Sequence, residues 1–301
     1  MNRPAASRPG VRSAAAALAF LSLIWGYNWI VMKLSLVDAA PTDSAAWRFL
    51  IGALALAPVV WRMGHSFWVP RSEWWLCALL GVLLACNFTG TLWGLKLGGT
   101  GRVAVLTYTM PFWTVLLARL FLHERMQTMQ WIAIALAAVG LVVLIDPAHL
   151  GGLLPSLLAL FAGLSWASSV VLVKHVQGRT RTPLITLTFW QMLIGAGLLA
   201  IGSMVADTPP VRWTPLFAAC VLYSAVLGSS LAWMLFYYAL ARLPAGLTGL
   251  GTLATPVIGV TAAALQFGEL PTGSEMFGML LIGIGLAMLA LPAGSLRALR
   301  R

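Results

Sequence analysis

The chain alternates between long apolar runs and short links that carry polar and turn-forming residues. A helix needs about 20 apolar residues to cross a hydrocarbon core about 30 Å thick. By that measure the pattern predicts ten transmembrane helices, at residues 13–34, 43–62, 73–95, 101–122, 128–145, 153–175, 183–205, 213–240, 245–267 and 274–291. No link is long or polar enough to form a soluble domain, so we expect an all-α membrane protein.

Composition and charge strengthen this prediction. The chain is 60% hydrophobic and 9% charged, whereas soluble domains contain about 45–50% apolar and about 25% charged residues. The net charge of +11 could indicate nucleic-acid binding, but the basic residues are dispersed among the links. Fourteen Lys and Arg lie in one set of alternate links and three in the other, which predicts that both termini are cytoplasmic. We therefore expect a multi-pass protein of the inner (cytoplasmic) membrane, with lipid neighbours and no nucleic-acid partner.

Residues for covalent or metal chemistry are sparse. Cys77, Cys86 and Cys220 are too few and too scattered for a disulfide framework or a Cys-based metal site. The four histidines fall near the ends of spans, and neither H-E-x-x-H nor G-x-S-x-G occurs. The G-x-x-x-x-G-K-[ST] loop of an ATP-driven pump is also missing from the sequence. We expect no catalytic residue, no metal and no cofactor.

The two halves of the sequence repeat a set of residues at nearly constant spacing. Trp25 and Lys33 lie 141 residues before Trp166 and Lys174. At a spacing of 145 residues, Gly101, Pro111, Glu124 and Gly140 correspond to Gly246, Pro256, Glu269 and Gly285. Because each half holds five predicted helices, an odd number, the second copy must be inverted relative to the first. The predicted units are a cytoplasmic tail at 1–12, a first five-helix repeat at 13–148, an inverted second repeat at 149–291 and a cytoplasmic tail at 292–301.

Inverted repeats are typical of transporters, and these residues resemble the drug/metabolite transporter superfamily, specifically its ten-helix EamA-type exporters. The matching residues are Trp25-Gly26, the pairs Pro111 with Glu124 and Pro256 with Glu269, and the glycines Gly140 and Gly285. The resemblance covers essentially the whole chain and implies two inverted repeats around a central cavity. It specifies the substrate weakly, since members export amino acids, metabolites, nucleotide sugars or drugs. Trp and Tyr beside Asn and Thr make the expected cavity similar to that of the aromatic amino acid exporters in this group.

A polar solute needs hydrogen-bonding groups at membrane depth, where such groups are otherwise costly. Twelve residues are predicted to line the substrate cavity: Trp25, Tyr27, Asn28, Asn87, Thr91, Tyr108, Thr109, Trp166, Ser169, Ser229, Trp233 and Thr252. Asn87, near the middle of its span, is the strongest single candidate for a cavity residue, although an interhelical hydrogen bond would also explain an asparagine at this depth. Trp25 and Trp166 could instead be interfacial anchors, because Trp is common at membrane surfaces.

Proline recurs at the same place in each repeat. Pro111 and Pro256 are predicted to lie inside the fourth and ninth helices, where each would free a backbone carbonyl and form either a hinge or a static kink. We interpret both as hinges because both copies of the repeat have one.

Three charged residues bear on the mechanism. Glu124 and Glu269 lie at helix ends, where a carboxylate opposes the helix dipole. We expect each to form an ion pair or to cap a helix, with Arg125 or Arg119 as the partner available to Glu124, and with coupling or gating as the alternative. Arg48, five residues into the second helix, could pair with Asp43 or with a glutamate near the rim, and no role is predicted for it.

No Asp or Glu lies near the middle of any predicted span, so the carboxylate typical of proton antiport is missing. We therefore predict a secondary transporter that exports amino acids or related small metabolites by alternating access, uncoupled or by exchange. The alternative within transport is efflux of drugs or cationic aromatic compounds, and an intramembrane enzyme is less favoured. The glycines Gly140, Gly278, Gly283 and Gly285 indicate close helix packing or a dimer face, and the oligomeric state stays open.

Overall fold

The computed structural model describes residues 9–98, 107, 109–124, 128–144, 153–267 and 273–290. These residues form helices and connecting segments, with no strand among them. The helices are α1 (Pro9–Ser35), α2 (Pro41–Arg62), α3 (Trp74–Gly98), α4 (Met110–Phe121), α5 (Thr128–Leu144), α6 (Leu153–Val176), α7 (Leu184–Val205), α8 (Pro215–Leu240), α9 (Ala245–Gly251), α10 (Ala254–Phe267) and α11 (Gly273–Ala290). A short 3-10 turn at Arg71–Glu73 leads into α3, and α8 contains a π-helical turn at Val226–Leu231.

A described helix lies in each of the ten predicted spans. Within the described ranges, six helices (α1, α2, α3, α6, α7 and α8) are long and apolar enough to cross a membrane, and α4, α5 and α11 contain shorter apolar segments. One prediction needs correction, because the ninth span is not continuous: α9 ends at Gly251 and α10 begins at Ala254. Leu253 N donates to Leu250 O in the turn that separates the two helices.

Prolines mark the starts of helices. Pro41 and Pro215 occupy the first residues of α2 and α8, where an N–H has no intrahelical partner to lose. Pro111 is the second residue of α4 as described, and Pro256 is the third residue of α10. This corrects the predicted interior position of Pro256, which follows a break and therefore removes no hydrogen bond from the middle of a helix. The hinge role of both prolines stays a prediction.

Helices of the first half pack mainly against helices of the second half. α1 lies against α8 and α10, α2 against α7 and α8, and α3 against α6 and α7. α4 contacts α6 and α9, and α5 contacts α11. The main apolar cluster accordingly mixes Phe49 and Leu80 of the first half with Leu187 and Phe236 of the second. Each half therefore buries its apolar surface against the other.

The main contacts between helices keep their pattern when the two halves are exchanged. In this exchange α1 is matched with α6, α3 with α8, and α4 with α9 and α10. The contact between α1 and α8 then corresponds to the contact between α6 and α3. The contact between α1 and α10 corresponds in the same way to the contact between α6 and α4. The matched helices run in opposite directions, because the start of α1 and the end of α6 both meet the end of α8. There Tyr238 donates to Ser13 of α1, and Lys174 of α6 donates to Leu240 O. The described helices thus form two inverted repeats, as predicted.

Gly140 of α5 and Gly285 of α11, a matched pair, allow these two helices to touch. A Cβ at Gly140 would lie 2.7 Å from Gly278 O, and a Cβ at Gly285 would lie 2.8 Å from Ala133 O. Gly283 differs, because a Cβ there would meet no atom within 4 Å. The structure therefore places Gly140 and Gly285, but not Gly283, at a close helix contact.

We expect Gly140→Ala and Gly285→Ala to destabilise the bundle, since each adds a methyl group against backbone atoms of the facing helix. Overpacking of this kind costs about 1–3 kcal/mol, so the purified variants should unfold at a lower temperature than the wild type in detergent. Gly283→Ala is the matched control and should not lower the unfolding temperature. Unfolding of all three variants at or above the wild-type temperature would contradict this contact between α5 and α11.

Candidate functional site

Two chambers lie between the helices of both halves. The inner chamber, about 100 Å³, is lined from α1, α2, α3, α4, α6, α8 and α10 and by Thr107. The outer chamber, about 310 Å³, shares Trp29, Met32, Arg48 and Phe88 with it and extends to residues at the end of α1 and the start of α2. Among the described residues, they form a funnel that extends from the face where α1 ends to the middle of the bundle. We call that face the open face, and the opposite face, where α1 begins, the closed face.

Six of the twelve predicted cavity residues line the inner chamber: Trp25, Asn28, Asn87, Thr91, Trp166 and Trp233. They come from α1 and α3 of the first half and from α6 and α8 of the second. Seven residues outside the predicted set complete the lining: Trp29, Met32, Arg48, Phe88, Thr107, Met110 and Thr255. The chamber is therefore built by both repeats.

The other six predicted residues lie elsewhere. Three are buried without lining either chamber: Ser169, Ser229 and Thr252. Tyr27 is 37% exposed and packs edge-on against Tyr223, with ring centres 5.6 Å apart. Thr109 accepts a hydrogen bond from Trp113 Nε1. Tyr108 lies outside the described residues.

Helical spacing along α1 explains why Trp25 and Asn28 line the inner chamber and why Tyr27 does not. Trp25, Asn28, Trp29 and Met32 follow the i, i+3, i+4, i+7 pattern of a single helix face, and all four line the inner chamber. Tyr27 falls on the opposite side of that pattern. Helical periodicity counted from Trp25 would therefore have added Trp29 and Met32 to the predicted cavity residues and removed Tyr27 from them.

Asn87 both lines the inner chamber and joins two helices. Its Nδ2 donates to Ala162 O of α6 at 2.8 Å, and Thr91 Oγ1 donates back to Asn87 O at 2.8 Å. One turn along α3, a Cβ at Gly90 would lie 2.7 Å from Leu158 O, so α3 and α6 run in close contact here. The two alternatives predicted for Asn87 are thus not exclusive.

Aromatic side chains form the inner end of the funnel. Trp25 lies 6.0 Å from Phe236 and 6.4 Å from Trp233 between ring centres, and Trp166 lies 5.3 Å from Phe236. Trp25 Nε1 donates to Gly228 O at 2.9 Å, so the indole is fixed inside the bundle. Trp166 is only 6% exposed. Neither tryptophan has the exposed position that a surface anchor requires.

A π-helical turn in α8 shapes the wall opposite α1 and α2. Within it, Ser229 Oγ donates to Ser224 O, and Ser230 Oγ donates to Ala225 O, each five residues back along the chain. The carbonyl of Gly228 is used outside the helix, where it accepts from Trp25 and from Arg48. Such turns are frequent at functional sites.

Arg48 of α2 projects into this wall and lines both chambers. Its Nε donates to Ser229 Oγ at 2.7 Å, and its Nη2 donates to Gly228 O at 3.0 Å. The guanidinium carbon lies 5.3 Å from the ring centres of Phe49 and Phe88. Apart from a long contact of Nη1 with a methionine sulfur, these are its polar partners among the described residues.

The pairing of Arg48 with Asp43 that the sequence suggested is not formed. Asp43 Oδ2 accepts a hydrogen bond from Thr208 at 2.6 Å, near the open face. Sequence reasoning therefore missed Arg48 as a cavity residue. The available signal was a permanently charged side chain within an apolar span, where such residues usually mark a functional site.

The closed face is held by charged side chains at helix ends. The carboxylate of Glu124, after α4, accepts from Ala245 N at 2.8 Å and from Gly246 N at 3.1 Å in the first turn of α9. Lys174 Nζ donates to Leu240 O at 2.6 Å, at the end of α8. A carboxylate at a helix N-terminus and an ammonium at a C-terminus both complement the helix dipole. Glu124 thus has the helix-cap arrangement that was one of those expected for it, whereas Glu269 lies outside the described residues.

Within the described ranges, no group of three or more His, Cys, Asp or Glu side chains is placed to hold a metal ion. The arrangement offers hydrogen bonds, aromatic surface and one buried positive charge to a solute. The described residues that line the two chambers include no His, Cys, Asp or Glu.

Comparisons with known proteins point in one direction. The sequence matches the profile of the EamA-like transporter family twice, at residues 12–145 and 153–291. "Uncharacterized transporter YvbV" of Bacillus subtilis (strain 168) is 30% identical over 91% of this chain and 90% of its own length. "Probable amino-acid metabolite efflux pump" of Escherichia coli (strain K12) is 28% identical over 88% of this chain and 90% of its own. "S-adenosylmethionine uptake transporter" of Rickettsia felis is 26% identical over 88% of this chain and 92% of its own.

A solved crystal structure also superposes on this chain. The TM-score is 0.81 at 19% sequence identity, and the match covers 96% of this chain and 98% of the other. At that identity the likeness supports the fold alone. The names of these relatives differ in both substrate and direction of transport.

We expect Asn87→Ala to lower the stability of the bundle slightly, because Ala162 O loses its side-chain donor. Interhelical hydrogen bonds in membranes contribute about 0.6 kcal/mol on average, and at most about 1.7. Thermal unfolding in detergent should therefore show a fall of a few degrees at most. Cys86→Ala, at the neighbouring position of α3, is the control. A much larger fall for Asn87→Ala would show that the residue is chiefly structural.

Proposed function

We propose a function for this chain, which belongs to the EamA-like transporter family and is a multi-pass membrane transporter. In this proposal the protein exports amino acids or related small metabolites across the cytoplasmic membrane. It does so by alternating access, uncoupled or by exchange. The observation that carries this proposal is the funnel, which enters from one face and ends in a chamber built by both repeats. A single deep site with one closed side is what an alternating-access carrier needs.

The symmetry of the contacts supports alternation. Because the main contacts between helices keep their pattern when the two halves are exchanged, the halves can also exchange their local conformations. The state with a funnel on one face then implies a second state with a funnel on the other. The contacts of Glu124 with α9 and of Lys174 with the end of α8 would open in that second state.

The orientation proposed for the chain rests on its charges. The closed face carries the arginine-rich links, and the positive-inside rule assigns that face to the cytoplasm. The structure then corresponds to a state that opens outward, with the tails at 1–12 and 292–301 in the cytoplasm. The repeats are proposed to span 13–148 and 149–291.

The choice of substrate rests on the lining of the inner chamber. Trp25, Trp166 and Trp233 offer aromatic surface to an apolar side chain, while Asn28 and Asn87 supply polar atoms. The relative named "Probable amino-acid metabolite efflux pump" is similar in sequence over 88% of this chain, which supports this choice. Export follows from a substrate gradient directed out of the cell, since no Asp or Glu lies near the middle of a predicted span to couple transport to protons.

The first test is counterflow in proteoliposomes with a panel of labelled amino acids and no imposed ion gradient. We expect amino acid flux, and we expect Trp25→Ala, Asn87→Ala and Trp166→Ala to reduce it at least tenfold while the proteins still insert. Trp131→Ala, an exposed residue of α5 remote from the chambers, is the matched control and should transport normally. Flux that appears only with a pH gradient would contradict uncoupled transport. Normal flux in all three cavity variants would contradict the proposed site.

The second test concerns the closed face. We expect Glu124→Ala to favour the state that opens on this side, because α9 loses the acceptor for two backbone N–H groups. Spin labels at the exposed residues Phe121 and Arg242, in a cysteine-free background, should then report longer distances. Glu73→Ala is the control: Glu73 also accepts from two backbone N–H groups, but it joins the start of α3 to the residues before α7. An unchanged distance in Glu124→Ala would show that this contact does not hold the face closed.

A further inference from the structure

We propose that Arg48, together with the hydroxyl groups of Thr107 and Thr255, forms a carboxylate-binding subsite at the inner end of the funnel. The inference rests on the proposed function and deepens it by assigning a substrate class. The transported solutes carry a carboxylate, and organic cations are excluded from the site.

The charge of Arg48 is buried and has no carboxylate partner. The residue is 6% exposed, and no Asp or Glu among the described residues forms an ion pair with it. Asp43, one and a half turns earlier on α2, is occupied by Thr208. A buried charge without a counterion is unfavourable unless a ligand supplies the opposite charge. The funnel is the route by which such a ligand would arrive.

The guanidinium retains donors for that ligand. An arginine carries five N–H groups. Three of them are directed to Ser229 Oγ, Gly228 O and Met32 Sδ, which leaves two without a partner among the described residues. Two N–H groups can bind the two oxygens of one carboxylate in the bidentate arrangement that arginine favours.

The geometry of Arg48 is fixed before any ligand binds. The Ser229 and Gly228 contacts hold Nε and Nη2 against the π-helical turn of α8, and the rings of Phe49 and Phe88 lie 5.3 Å from the guanidinium carbon. A donor group held by packing and hydrogen bonds loses little entropy when it binds an anion. The neutral partners orient the charge and do not cancel it.

Two threonines add donors from both repeats. Thr107 lies in the fourth predicted span, and Thr255 lies in the ninth, at the start of α10 and three residues after Thr252, the residue that corresponds to Thr107 at the 145-residue spacing. Both line the inner chamber with Arg48, both are buried, and neither Oγ1 has a hydrogen-bond partner among the residues that the structure describes. A buried hydroxyl without a partner is unusual in a folded protein. Both oxygens are covered in this structure, so a rotation of each threonine side chain toward a bound carboxylate would give the hydroxyls an acceptor and remove this deficit.

The same arrangement excludes organic cations. The tryptophans of the inner chamber could attract an ammonium group through their rings, but the unneutralised Arg48 repels it. In an amino acid the carboxylate would meet Arg48, and the ammonium could lie against the aromatic end formed by Trp25 and Trp166. A cation without a carboxylate lacks the first contact and keeps the repulsion.

The test compares phenylalanine with two analogues that differ from it only at the acid group, and with phenyl phosphate, an aromatic anion that has no amino group. Proteoliposomes holding the wild type, Arg48→Gln or Arg48→Lys are assayed by counterflow with phenylalanine, phenylalaninamide, phenethylamine and phenyl phosphate. We expect the wild type to prefer phenylalanine over its amide and amine by at least tenfold. Arg48→Gln should lose at least tenfold of phenylalanine transport, and Arg48→Lys should retain part of it. Arg62→Gln, at the exposed end of the same helix, is the matched control and should behave like the wild type.

Thr107→Val and Thr255→Val keep the proposal testable if Arg48→Gln does not fold. Because these hydroxyls have no hydrogen-bond partner among the described residues, we expect each variant to bind phenylalanine several-fold more weakly without unfolding at a lower temperature. A purely structural role would instead lower the unfolding temperature. Unchanged binding in both variants would overturn the subsite.

The outcomes separate this inference from the proposed function. If Arg48→Gln transports phenylalanine and still prefers it over the amide and the amine, the proposed transport function would stand and the carboxylate subsite would be overturned. A wild type that prefers phenethylamine would also overturn the inference, and a preference for phenyl phosphate would replace the carboxylate by a phosphate. If no amino acid is transported, carboxylates should still raise the unfolding temperature of the wild type but not of Arg48→Gln. That result would retain the subsite and reject amino acids as the transported solute.

Discussion

The site depends on one backbone carbonyl, that of Gly228 in the π-helical turn of α8. It accepts from Trp25 of α1 and from Arg48 of α2, and so it joins three helices at the centre of the bundle. A Cβ at Gly228 would lie 2.7 Å from Asn28 Oδ1, which explains why glycine occupies the position. Neutral interhelical hydrogen bonds contribute only about 0.6 kcal/mol on average in membranes. These contacts therefore fix geometry more than they offset the cost of burying a charge.

The magnitudes favour an anion as the natural partner of Arg48. Two unit charges 4 Å apart interact by about 4 kcal/mol at an effective dielectric constant of about 20. The attraction of a cation for an aromatic ring is about 0.5–2 kcal/mol. Repulsion between Arg48 and an organic cation would therefore exceed the attraction of the nearby tryptophans. The chamber is aromatic and positive together, a combination that suits an acid with an apolar side chain.

The closed face uses weak contacts. Charges at helix ends contribute about 0.3–1 kcal/mol each, and up to about 2 when partly buried. Glu124 at the start of α9 and Lys174 at the end of α8 fall in this class. A carrier that alternates between two states needs them to be close in free energy, so contacts of this size suit a closure that must break in each cycle. The apolar core between the two halves is present in both conformational states, so it does not oppose the change from one state to the other.

The sequence alone determined the membrane character, the spans and the inverted repeat, because apolar length and residue spacing are local properties. It also indicated several lining residues, since polar groups at membrane depth are costly wherever they occur. Tertiary structure decided which face each helix presents, and so placed Tyr27 outside and Met32 inside the funnel. It alone showed that Arg48 meets Gly228, 180 residues away, and that Glu124 caps α9. Those contacts arise from the crossing of helices from opposite repeats, for which the linear sequence holds no local signal.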